Sequence, residues 1–257
     1  MNYSDRDISL MMKNLKMLKS HYTELMCLCV ARSYSSADGR EMGTQGFMRR
    51  IKIMMHGLEQ VFKHLPPEQQ RNEVPERDSI VAAEMAVHAF LINVYGAADN
   101  LAWVWVHERN VVDPKGRPLK KEQVGLWRSN ALVRTSLSAS MQAYLRERDD
   151  WLDYVAQWRH PLAHRVPPYI PPFSVNPKHA ELYKELEEKK AEVLLRGDLA
   201  THEEYENEQA RLKFFMPLLC GSFRAGSAPI LLHPQMISDF MTVHEIASKL
   251  IEALDQP

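Results

Sequence analysis

The sequence is short of the features that would place it at once. It carries three cysteines, Cys27, Cys29 and Cys220. An odd number, two of them one residue apart, argues against a disulfide framework and for a reducing interior. A Cys-x-Cys pair with no further ligands nearby makes a poor zinc site, so the cysteines are expected as plain buried thiols. A surplus of positive charge is missing too: 32 Lys and Arg stand against 33 Asp and Glu, a net charge of -1. Non-specific nucleic-acid binding normally needs a cationic surface, so any contact with RNA or DNA has to be local. Residues 1–7, Met-Asn-Tyr-Ser-Asp-Arg-Asp, contain no apolar run of the signal-peptide kind. The most apolar stretch, residues 80–106, is interrupted by Glu84, His88, Asp99 and Asn100, which a membrane span rarely tolerates. Internal repeats and low-complexity tracts are absent. The chain is therefore expected to be soluble and cytoplasmic.

What is present is an ordinary globular composition, 45% hydrophobic and 25% charged over 257 residues, patterned for helices. Residues 8–31 predict an amphipathic helix, 33–46 a polar turn, and 47–65 a second helix stopped by Pro66-Pro67. Residues 80–107 are apolar on nearly every side, the mark of a central helix, and Gly96-Ala97-Ala98 supply a place for close approach. Asp113 to Arg117 form a turn, and helices are expected over 129–146 and 149–164. Beyond a proline-rich strap, residues 179–196 and 201–215 form a charged helical hairpin standing partly in solvent. A loop with Gly221, Ser222, Ala225 and Gly226, with one short strand expected at 229–232, precedes a last helix from Pro234 to about Ala253. The expected fold is all-α: a bundle of long helices with a charged excursion before the last one. Taken as a single domain over 1–257, it divides into N-terminal helices (1–66), a core (78–172), an arm (178–215) and a closing helix (234–254).

The chemistry concentrates in Trp158-Arg159-His160-Pro161-Leu162-Ala163-His164-Arg165, just before the strap Val166-Pro167-Pro168-Tyr169-Ile170-Pro171-Pro172. Histidine as a residue type titrates near neutrality, and arginine presents a fork of donors that fits phosphate. Arg159 and His164, five residues apart, lie about 140° apart on an ideal helix. Pro161 cannot continue a helix without cost, so a kink there is expected to bring the two onto one concave surface. His160 and His164 are four apart and face one way, which also suits a metal given a third ligand such as Asp99, Glu84 or His88. The spacing is not rare in this chain: Arg50 to His56 and Arg196 to His202 repeat it. A purely structural reading therefore stands beside the chemical one, with Arg159 in an ion pair and His164 a satisfied core histidine. Asp99 and Asn100 in the central helix need polar partners, and Arg159 or Arg165 is the expected partner of Asp99.

A long helical bundle carrying Arg-polar-x-x-x-His late in the chain resembles the HEPN superfamily. Residues 159–164 carry the motif; Tyr95-Gly96-Ala97-Ala98-Asp99-Asn100-Leu101-Ala102-Trp103, the strap and Leu232-His233-Pro234-Gln235-Met236 are similar to a bacterial branch of it. The resemblance implies a HEPN-like bundle and a homodimer in which two motifs line one cleft. It also implies a metal-independent endoribonuclease, without cofactor, that leaves cyclic phosphate ends. His164 would then be the acid/base on the ribose 2′-hydroxyl and the leaving oxygen, and Arg159 would stabilise charge on phosphorus. His160 fills the motif's polar position, while Asp99, Asn100 and Arg165 support it. Pro161 within the motif departs from the usual pattern. Toxin-like roles, with an antitoxin-like protein partner, fit the family. Its inactive members serve as dimerisation or nucleotide- and RNA-binding modules, and that alternative stays open.

Overall fold

A computed structural model describes residues 2–222 and 228–255, and its architecture is all-α, with two small antiparallel strand pairs. Helix α1 (Asp5–Ala31) starts on a capping box: the Ser4 hydroxyl accepts from the Asp7 N–H, and the Asp7 carboxylate accepts from the Ser4 N–H. It buries Ile8, Met11, Leu18, Leu25 and Cys29 along one stripe. Residues 33–46 are not the expected turn. They fold as α2 (Ala37–Glu41) and a π-helical segment (Met42–Phe47) that runs directly into α3 (Met48–His64). Ser36 caps α2 by accepting from the Gly39 N–H, and Glu108, far along the chain, accepts from the Ser35 and Ser36 N–H groups. That tertiary anchor is what a reading of local composition misses.

The central element is α4 (Arg77–Glu108), packed against α2, the π-helical segment and α3. Phe90, Val94, Ala97 and Leu101 are buried in it, with Phe47, Met54 and Leu58 brought by the preceding segments. By length and composition α4 is apolar enough to cross a membrane, yet half of its most apolar window is buried inside the protein. Its interrupting polar groups have protein partners: Glu84 accepts from the Ile170 N–H, His88 bonds the Pro168 carbonyl, and Asn100 accepts from Arg50.

The single helix expected over 129–146 is two, α5 (Ala131–Ser136) and α6 (Ala139–Arg146). Leu137 is extended, and the Ser138 hydroxyl restarts the chain by accepting from the Met141 N–H. Helix α7 (Asp149–His164) follows, packed on α4. The arm consists of β1 (Ser174–Val175), α8 (Ala180–Leu195), α9 (Leu199–Ala210) and β2 (Lys213–Phe214), with β2 pairing β1 and closing the base. The second arm helix thus stops at Ala210 rather than continuing to 215. Leu195 and Leu199 are exposed at the tip, while Gln209 is buried between the helices, donating to Glu187 and accepting from Lys190. Strands β3 (Leu218–Leu219) and β4 (Ile230–Leu231) pair before α10 (Leu232–Asp255), which packs on α1 and α4. Of the small residues noted in the connecting loop, Ala225 and Gly226 lie outside the described residues.

The cysteines are not uniformly buried. Cys27 is exposed and Cys220 half-buried, while Cys29 is buried and its thiol is pushed up to about 11 by that burial.

Candidate functional site

Helix α7 carries the motif, and it runs through Pro161 to His164. Pro161 has no N–H to give the Gln157 carbonyl, but its own carbonyl accepts from the Arg165 N–H at 2.8 Å, so the last turn closes. The expected gathering of Arg159 and His164 onto one surface does not occur. Arg159 lines a cavity of about 680 Å³ against α4, and His164 lines a different cavity of about 800 Å³ beneath the strap. His160 stands in the wall of both. The physical reason is the helix period: with no break at Pro161, residues five apart keep the angle of an ordinary helix.

The cavity against α4 is a tied network. The Arg159 guanidinium lies 5.2 Å from the centre of the Tyr95 ring, and its Nη1 is 3.4 Å from His160 Nδ1. Tyr95 is also tilted against Trp127, with centroids 4.5 Å apart. Arg50 reaches in from α3, donating through Nε to Asn100 Oδ1 at 2.6 Å and through Nη1 to Asn93 Oδ1 at 3.4 Å. Burial pushes the Asp99 carboxyl up, and Arg50, Lys121 and Arg159, in that order, pull it back down. Burial likewise pulls the Arg50 guanidinium down, with Asp99 opposing. Asp99 thus looks mainly to Arg50; Arg159 contributes less, and Arg165, exposed in the other cavity, is not its partner. Gly96 makes this possible, because a Cβ there would collide with the Arg50 guanidinium.

The strap cavity is built differently. The strap is held by a two-way bridge between Tyr169 and Cys220, each N–H donating to the other's carbonyl at 2.9 Å. His88 Nε2 lies 2.6 Å from the Pro168 carbonyl, and the Ile170 N–H donates to Glu84 at 2.8 Å. Because a carbonyl only accepts, His88 carries its proton on Nε2. Glu84 and His88, weighed earlier as metal ligands, are therefore occupied in holding the strap. The cavity so roofed has Tyr154, Trp158 and Ile230 among its walls and His160, His164 and Arg165 among its polar groups. Among the described residues, the side chains of His164 and Arg165 have no hydrogen-bond or ion-pair partner, and no third ligand group joins His160 and His164. The Tyr154 hydroxyl is buried without a hydrogen bond, and burial pushes its ionisation far up.

Reading the sequence missed Arg50, Lys121 and Trp127. Gly96 was the signal available, since a small residue in a central helix announces a close neighbour, but nothing local says that the neighbour is the guanidinium of Arg50, from the preceding helix. Comparison with protein-family models, with curated proteins and with solved structures gave no match.

Proposed function

We propose that the chain is a HEPN-like, metal-independent endoribonuclease that acts as a homodimer, with RNA entering the strap cavity at the end of α7. The observation that supports this best is the pair His160 and His164, one turn apart, both exposed, on the wall of a cavity lined also by Tyr154 and Trp158. Apolar walls suit a base, and imidazoles at the rim suit the phosphate and sugar. His164 takes the proton of the ribose 2′-hydroxyl as that oxygen attacks phosphorus. A protonated imidazole, His160 or His164 of the second copy, returns a proton to the departing 5′-oxygen. The products are a 2′,3′-cyclic phosphate and a free 5′-hydroxyl. The cation nearest to His164 in the chain is Arg165, and Arg159 holds His160 from the opposite side.

A second reading is favoured by the direction of Arg159. With its guanidinium on Tyr95 beside Arg50 and Lys121, it forms a group of three cations around Asp99. That group suits holding a nucleotide phosphate without turnover. Single-stranded RNA incubated in EDTA with verified dimer decides between the two. Cleavage that His164→Ala abolishes in a folded variant supports the ribonuclease. Intact RNA, with nucleotide binding that weakens in Arg159→Ala, supports the binding module.

A further inference from the structure

We propose that His21, Glu24 and His244 form a separate site that binds a zinc-type divalent ion where α1 meets α10. His21 and Glu24 are three apart on α1 and share a face, and His244 comes across from α10. Their ligand atoms converge on one carboxylate oxygen: Glu24 Oε2 is 3.0 Å from His21 Nδ1 and 3.6 Å from His244 Nε2. All three atoms lie within 4.8 Å of one another. Zinc bonds of about 2.0–2.2 Å give a tetrahedral edge of about 3.4 Å, between the two separations found here. Those two separations need change by only a few tenths of an ångström, and the third, between the imidazole nitrogens, lies within 4.8 Å.

The surroundings also suit a ligand set. The other carboxylate oxygen, Oε1, accepts from the Ser20 hydroxyl at 3.3 Å, which helps to orient the group. The two imidazoles are tilted together with centroids 4.2 Å apart, so His244 from the last helix stands directly beside His21 from the first. The side chains of His21, Glu24 and His244 are 21%, 54% and 15% exposed, which leaves a path from solvent. Two imidazoles and one carboxylate match zinc in ligand type, and three protein ligands leave a fourth position for water. The ion would fasten the first long helix to the last, away from α7.

Calorimetric titration of the metal-stripped full chain with Zn²⁺ alone tests this. The expected result is stoichiometric binding, with Tm raised by roughly 5 °C at zinc a hundredfold above Kd. His21→Ala, His244→Ala and Glu24→Gln should each weaken binding by more than about a hundredfold. Glu24 is largely exposed, so Glu24→Gln reports the ligand rather than the fold. Co²⁺ in place of zinc should give the visible absorption of a four-coordinate ion, lost in Glu24→Gln. A His160→Ala, His164→Ala double variant should bind zinc as the unaltered chain does. No binding by folded protein, binding that survives His244→Ala, or binding lost in the double variant would overturn the proposal.

Discussion

The two cavities that share His160 draw on the same helix and on similar residues, yet their polar groups are in opposite states. On the α4 side Arg50 is bonded to Asn100 and Asn93, Arg159 rests on Tyr95, and Asp99 sits among three cations. On the strap side the side chains of His164 and Arg165 have no polar partner among the described residues, and the Tyr154 hydroxyl is buried without one. Polar groups that satisfy one another stabilise a fold; groups left unsatisfied beside open space are available to a ligand. On the function proposed above, the first cavity serves stability and the second chemistry, although an arginine of the same motif belongs to the first.

The sharpest way to test that division is His164→Ala. It should lower RNA cleavage by about a thousandfold or more, roughly 4 kcal/mol in barrier, while urea denaturation shifts by less than about 0.5 kcal/mol. A large loss of stability would put His164 in the structural class instead. Arg50→Met makes the converse test: with Asn100 and Asn93 left without their donor and Asp99 without the foremost of its cations, unfolding in urea should become easier by about 3 kcal/mol.

Behind the strap cavity, burial pushes the Asp239 carboxyl up to about 6, against hydrogen bonds from Trp151 and Gln235. Burial also holds His233 down to about 4, opposed by its bond to the Leu65 carbonyl. Asp239 favours the folded state when protonated, so its contribution is lost as pH rises from about 4 to 6. His233 must fold neutral, so its contribution is lost as pH falls from 6.5 towards 4. The two slopes nearly cancel. Asp239→Asn removes one of them, and acidification from pH 6.5 to 4 should then cost the variant about 3 kcal/mol more than the unaltered chain, read by urea unfolding at each pH. The smallest effect belongs to Tyr154→Phe. Deleting a hydroxyl that has no partner should change stability by less than about 1 kcal/mol, where deleting a bonded one costs more.

Much of the helix plan is legible in the sequence. Residues 149–164 form one helix because Asp149 and Asp150 suit its first turn and the strap prolines suit its end. The central helix is recognisable because burial on all sides leaves it apolar on all sides. The arm is recognisable because a solvated hairpin keeps its charges. Less legible were α2 and the π-helical segment, whose cap depends on Glu108, and the two-residue strands, too short to impose a period.

Sequence alone determined the all-α class, the order of the long helices and the place of the Arg/His cluster, because each rests on local periodicity and on residues adjacent in the chain. Tertiary structure decided the rest: Arg50 rather than Arg165 beside Asp99, Glu84 and His88 holding the strap, and His244 beside His21 from the far end of the chain. It also set Arg159 and His164 in separate cavities. Those pairings join residues distant in sequence, and which side chains meet across packed helices is fixed by how the faces dock, which no local pattern encodes.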